Sequence, residues 1–259
     1  MQIHPTAIVS PDAELAEDVV IEAYSIIGPK VSIGSGTVVG PHVVIEGKTS
    51  IGVGNRIYPF VTIGFPPQDI TYRGEETAVV IGNDNIIREN ITIHRGSTLG
   101  DGITRIGDSN YLMAYVHVAH DCRIGTKVIM ANATTLGGHV EVGDCAVIGG
   151  VVVIHQFVRI GEYSCLGGRT GVRMDIPPYM LASGTEGAKL FGPNIIGLRR
   201  NGFAQNTISA LKKCYRIIFR SGLTVEDALE KVRREVEPLA EVERLVDFVS
   251  SSSKRGLTR

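Results

Sequence analysis

The feature that most constrains this chain is an aliphatic residue that returns every six positions. From Ile3 the series runs through Val9, Leu15, Ile21, Ile27, Ile33, Val39, Ile45, Ile51 and Ile57 to Ile63, eleven anchors in unbroken register. The position four after each anchor is small or β-branched, as at Ala7, Val19, Ser25, Thr37, Val43 and Val61; Asn55 is the larger polar exception. Neighbouring residues on a strand alternate faces, so this position and the next anchor, two residues on, both point inward. Four residues of strand and a two-residue corner make six, and three such sides close a triangular coil of about eighteen residues. Glycine often follows the anchor, as at Gly28, Gly34, Gly40, Gly52 and Gly64, where corners of unusual φ are expected to need it.

The register breaks after Ile63, resumes at Ile81, Ile87 and Ile93, gains one residue around Leu99–Arg105, and runs cleanly from Ile106 to Val172. The total is about nine coils. The break near 65–80 carries Pro66, Pro67, Gln68, Asp69, Tyr72 and Arg73; a long polar loop inserted in a regular solenoid is more often functional than accidental. Pro177-Pro178 is expected to stop the repeat. Beyond it the period turns helical, with Ile208, Leu211, Tyr215 and Ile218 on one face and Ser221-Gly222 as the stop. Thr224 with Asp227 then suggests a capped second helix, and a third runs near 242–249. The expected architecture is mainly β: a parallel β-helix over 1–188 with an inserted loop near 65–80, then a small α-helical C-terminal domain over 189–259.

Composition agrees with a thin aliphatic core: 31 glycines, no tryptophan and 6% aromatic residues. A formal net charge of −1 excludes nucleic-acid binding by bulk electrostatics. The charge is uneven, with fourteen Lys/Arg against eight Asp/Glu from Lys189 to Arg259, a local +6. Such a surface suits an acidic partner or a phosphorylated ligand, or is simply a solvated helical face. The four cysteines form no C-x-x-C pair and suggest no disulfide framework. No leader pattern and no apolar run long enough to span a bilayer is seen, so a cytoplasmic protein without a transmembrane segment is expected.

Chemistry is suggested by the histidines His94, His117, His120, His139 and His155. On an eighteen-residue coil, His120, Gly138 and Gln156 occupy equivalent positions two past their anchors and should stack on one edge. Imidazole near its ordinary pKa can take a proton from a hydroxyl at neutral pH. Gly138 could present a backbone N–H to a developing oxyanion. Asp121 could orient the imidazole, although side chains adjacent in sequence tend to diverge. Any one of these histidines could equally be a solvent-facing corner residue; a whole column of them is harder to explain that way.

Several strings carry a resemblance: Ile91-Thr92-Ile93-His94-Arg95-Gly96, Ala119-His120-Asp121-Cys122, Gly138-His139-Val140, His155-Gln156-Phe157, and Phe191-Gly192-x-Asn194-x-x-Gly197-Leu198-x-Arg200-x-Gly202-Phe203. Across nearly its whole length the chain resembles the UDP-N-acetylglucosamine acyltransferases that open lipid A biosynthesis. The resemblance implies a left-handed coil, which periodicity alone cannot give, and a homotrimer of parallel prisms with the site between neighbours. It implies direct transfer of an (R)-3-hydroxyacyl group from acyl carrier protein to the 3-position of UDP-N-acetylglucosamine, with no cofactor and no metal. His120 matches the general base, Asp121 its orienting partner and Gly138 the oxyanion donor. Gln68, Asp69, His117, His139, His155 and Gln156 match residues lining the substrate cleft, and Asn194 and Arg200 residues that hold the nucleotide. Gly168 falls where acyl length is measured, and Arg169 and Arg173 beside it could favour a shorter chain or simply face solvent. Cys122 sits at an inward position and is expected to pack rather than react.

The chain departs from the family pattern at Thr71, Ile196 and Asn201, around the sugar nucleotide. An alternative acceptor is therefore the 3-amino analogue of the sugar, which would give an amide. Three further readings are a zinc-dependent carbonic anhydrase-like enzyme using His117, His120 and His139, an N-acyltransferase acting later in lipid A assembly, and a purely structural β-helix. The spacing of His117 and His120 does not suit the first. A repeat that starts at Ile3 leaves no room for the extra N-terminal domain of the second.

Overall fold

A computed structural model describes residues 1–251 and 253–259. Three sheets, of eleven, nine and eight strands and parallel except for the last strand of the first, form the faces of a prism. Most strands are two residues long, and the chain visits the first, second and third face in turn. Ile21 lies over Val39 on the first face, Ile27 over Ile45 on the second and Ile33 over Ile51 on the third, eighteen residues apart each time. The anchors from Ile21 to Val172 are buried and form one continuous aliphatic column.

The polar exception in the repeat is part of the core. Asn55 Oδ1 accepts from Asn85 N and Nδ2, both at 3.0 Å. Asn85 Oδ1 accepts from Asn110 N at 2.9 Å, and Asn110 Oδ1 from Val128 N at 2.7 Å. Stacked amides satisfy corner N–H groups that the short strands leave free.

Glycine has a different role from the one expected at the corners. Of the five, Gly64 adopts the expected positive φ, +83°, but Gly28, Gly34, Gly40 and Gly52 do not; a Cβ on Gly34 would lie 2.8 Å from the Gly52 carbonyl and one on Gly40 2.8 Å from the Ile57 oxygen. Close approach between coils requires glycine at Gly34, Gly40 and Gly52. The left-handed residues fall three past the anchor and are mostly not glycine: Tyr24, His42, Phe60, Tyr115, Asp121, His139 and Phe157 are among them.

Two insertions leave the same edge of the prism. Ile63 pairs with Ile93, thirty residues on, because the first insertion lies between strands Thr62–Phe65 and Ala78–Ile81. Ile93 pairs with Val118, and Ile81 with Ile106, each twenty-five residues on. The apparent gain of one residue is therefore seven, a whole repeat plus one, placed between Thr92–His94 and Ile103–Ile106. Both loops emerge where the second face turns into the third.

Pro177-Pro178 does not end the stack. Met180–Ser183 adds one more strand to the first face, with Leu181 beside Cys165, and Lys189–Pro193 folds back antiparallel on it. Four helices follow: α1 (Ile195–Arg200), α2 (Gln205–Arg220), α3 (Val225–Glu235) and α4 (Ala240–Ser250). The last three match the sequence expectation; α1 was not expected. Thr224 caps α3, its hydroxyl accepting from Asp227 N at 3.1 Å and donating to Asp227 Oδ2 at 2.7 Å. Arg159 ties the helices to the prism: it pairs with buried Asp175 at 2.6 Å and donates to Ser251 Oγ at 2.7 Å. No helix among the described residues is long and apolar enough to cross a membrane.

Candidate active site

The edge between the second and third faces gathers the chemistry. The two insertions leave it in successive coils, and His120-Asp121, Gly138-His139 and Gln156-Phe157 occupy it in the next three. His120 Nδ1 is 2.8 Å from Asp121 Oδ2. Adjacent residues can meet here because Asp121 adopts φ +59°, which swings its side chain back beneath the imidazole. Asp121 is 5% exposed. Burial alone would raise its pKa, but hydrogen bonds from His120 and from the Ser97 hydroxyl and amide, with the nearby His139, hold the carboxyl below its usual range. An ionised Asp121 can only accept, so His120 donates to it from Nδ1, and Nε2 is the nitrogen left to take up a proton from a substrate.

A cavity of about 440 Å³ opens beside this pair, lined by Gln68, His117, His120, Gly138, His155 and Gln156 among others. Gly138 packs flat against the His120 ring; a Cβ there would lie 2.6 Å from Nε2. Among the described residues no acceptor meets the Gly138 N–H. His117 Nδ1 bonds Thr92 Oγ1 at 2.7 Å, and its ring meets His94 edge-on at 5.1 Å. Burial, then repulsion from neighbouring imidazoles, lowers the pKa of His94 to about 4 and lowers that of His117. His139 is lowered as well, first by burial. These three rings are neutral at pH 7 and can act there as hydrogen-bonding groups rather than charges. A larger groove, about 590 Å³, lies on the third face by Lys30, Lys48 and Glu76 and contains none of these histidines.

A family model for the second domain of UDP-N-acetylglucosamine O-acyltransferase matches residues 175–258, and one for the bacterial transferase hexapeptide, six repeats, matches 12–47. The acyl-carrier-protein-dependent UDP-N-acetylglucosamine O-acyltransferase of Syntrophobacter fumaroxidans is 61% identical over 100% of both chains. The chain belongs to this acyltransferase family. The same-named protein of Thermodesulfovibrio yellowstonii is 56% identical, over 100% of this chain and 99% of its own. The solved acyltransferase of Acinetobacter baumannii superposes with a TM-score of 0.96 at 44% identity over 100% of both chains. That of Bacteroides fragilis gives 0.96 at 42% identity over 99% of each. The fold is thus the left-handed β-helix of these acyltransferases.

The other expected acyltransferase residues are distributed as follows. Asp69 sits in the first insertion near His120; two hydrogen bonds from Thr71, at 2.8 Å each, hold its carboxyl below the usual range. His139 lies 3.6 Å from Asp121 Oδ2 and stacks on Phe157 at 4.6 Å. Behind it a second cavity, about 380 Å³, is lined by Leu99, Gly100, Asp121, Arg123, Phe157 and Lys254 among others. Asn194 is not in either cavity: it caps α1, accepting from Gly197 N at 3.1 Å and donating to Tyr163 O at 3.0 Å. Arg200 is exposed at the end of α1. Gly168 and Arg169 lie exposed on the edge between the first and second faces, and Arg173 is exposed after Val172. Ile196 is exposed on α1, and Asn201 ends that helix by donating to Gly197 O at 2.9 Å. Cys122 is buried, its thiol pushed up to about 12 by burial, and packs as expected.

Two residues escaped the sequence reading. Arg95 pins the first insertion, donating to Gly64 O at 2.8 Å and Tyr72 OH at 3.1 Å. Ser97 binds Asp121. Arg95 belongs to a family string but had no assigned partner; Ser97 lies in an insertion that looked like a single extra residue.

Proposed function

We propose that the chain transfers an (R)-3-hydroxyacyl group from acyl carrier protein to the 3-hydroxyl of UDP-N-acetylglucosamine, the first step of lipid A biosynthesis. The observation that carries this is His120, held by Asp121 and packed against Gly138, with both His120 and Gly138 lining one cavity, in a chain 61% identical to an enzyme of that name. His120 Nε2 takes the acceptor proton as the sugar oxygen attacks the thioester carbonyl. The Gly138 N–H stabilises the resulting oxyanion. Collapse expels the carrier thiol, which leaves with the proton from His120. Neutral His117 and His139, with His155, Gln68, Asp69 and Gln156, position the two substrates. Asn194 and Arg200 are assigned to the nucleotide, and Gly168, Arg169 and Arg173 to acyl length. None of these five lines the His120 cavity, so both roles require a neighbouring subunit or a long groove.

The reading includes a homotrimer of parallel prisms. Its support is the placement of exposed apolar groups: Tyr24, Phe60, Tyr115 and Val151 on the edge between the first two faces, Ile26 and Val153 on the second face, Ile129 and Val147 on the first. The third face instead presents Glu14, Arg105, Arg123, Glu141 and Arg159. The reading also includes a cytoplasmic location, in keeping with a carrier-protein donor and a sugar-nucleotide acceptor.

The test is a paired transfer assay with 3-hydroxyacyl carrier proteins of several lengths and either UDP-N-acetylglucosamine or its 3-amino analogue, beside a His120→Ala control. Ester formation that collapses in the control is expected. Transfer to the amino sugar alone would change the acceptor, and transfer to neither would overturn the reading.

A further inference from the structure

We propose that Ser97 is a positioning residue for the His120–Asp121 pair, and that the second insertion exists to deliver it. Asp121 Oδ2, the atom that holds His120, also accepts from Ser97 N at 2.9 Å and Ser97 Oγ at 2.7 Å. Ser97 is 2% exposed, so water does not compete for these bonds. The backbone of Asp121 is fixed as well, its N–H donating to Thr104 Oγ1 at 2.9 Å just after the insertion. The insertion also covers the back of the pair: a Cβ on Gly100 would lie 2.7 Å from Asp121 Oδ1 and 3.3 Å from His139 Cε1. At its neck Gly96 meets Gly102 so closely that a Cβ on Gly96 would strike the Gly102 carbonyl. A coil of ordinary length passes this edge with only a two-residue corner. The seven extra residues let the chain reach along the prism axis into the next coil and set two donors on its carboxylate.

The consequence is electrostatic. A charge-assisted hydrogen bond from Ser97 Oγ disperses part of the charge on Oδ2. Without it the carboxylate attracts the imidazole proton more strongly, which favours imidazolium and removes free base. The titratable and charged groups around the pair are His94, His117, His139, His155 and Asp69, with Asp101, Arg123, Glu141, Arg159 and Lys254 lining the cavity behind it, and Ser97 is the one that donates a hydroxyl to Asp121. The inference rests on the acyl-transfer reading above.

The test measures kcat, KM for each substrate and the acid limb of the pH profile in wild type, Ser97→Ala, Ser97→Thr and His120→Ala, with melting curves for all four. For Ser97→Ala, a roughly ten-fold loss of kcat is expected, with both KM values little changed and the acid limb moved to higher pH by a few tenths of a unit. Ser97→Thr should restore both kcat and the limb. Wild-type kcat in Ser97→Ala beside an inactive His120→Ala would overturn the role of Ser97 and leave the transferase reading standing. A loss that follows the melting temperature, with an unmoved acid limb and no rescue by threonine, would also overturn it. Inactive wild type would remove the transferase reading and this inference with it; full transfer by His120→Ala would leave the transferase activity standing but remove the general-base role of His120, and with it the role of Ser97.

Discussion

Left-handed backbone at Asp121 turns two neighbours in sequence into a hydrogen-bonded pair. The same residue scale sets what glycine does at position 138. Its φ is not positive, so alanine is acceptable to the backbone, and the nearest obstacle is the His120 ring. Gly138→Ala should therefore fold with a near-native melting temperature yet lose about a hundred-fold in transfer, because the ring must tilt away from its working position. Normal turnover would mean the ring is not required where it stands. His94 makes a pH prediction. Its pKa is about 4 in the folded chain and ordinary when unfolded. Between about pH 6.5 and 4 the unfolded state binds a proton that the folded state refuses, so stability falls as pH falls, by at most about 1.4 kcal/mol per unit. Urea midpoints at pH 7 and 5 should differ less in His94→Gln than in wild type; equal differences would rule His94 out as the source.

At the scale of elements, the repeat was legible because each anchor is an independent vote for the same period, and errors do not propagate. Thr224 and Asp227 likewise marked a helix start from local chemistry alone. The insertions were not equally legible. The first announced itself through prolines and polar residues; the second added seven residues, and a period of six hides all but one. Ser97 was lost with it. The Asp121–His120 contact was left open because it depends on a backbone angle that residue type does not specify. Helix α1 escaped because Ile195–Arg200 is too short to show a period. Arg95 provides a test of how elements cooperate. Its bonds to Gly64 O and Tyr72 OH hold the neck and body of the first insertion, which carries Gln68 and Asp69. Arg95→Ala should raise KM for the sugar nucleotide about ten-fold, with a smaller effect on kcat, and should open the loop to proteolysis. A cleavage-resistant loop with unchanged KM would deny the pinning role.

For the whole molecule, the uneven distribution of apolar surface is the decisive property. Val151 is 58% exposed on the edge between the first two faces, away from the His120 cavity. Val151→Glu should leave the coil folded but reduce the solution mass toward that of one chain, with activity falling in step. A monomer with full activity would place the whole site within one prism. Each coil touches only the coils above and below it, so a corner can lengthen without disturbing the anchors on either side. Ile63 still rests on Ile93 and Ile93 on Val118 across both insertions. Such a scaffold lets chemistry be written into its margin, one loop at a time, while the text of the core stays the same. New specificities in proteins built this way should arise by loops gained or lost along an edge more readily than by repacking the interior.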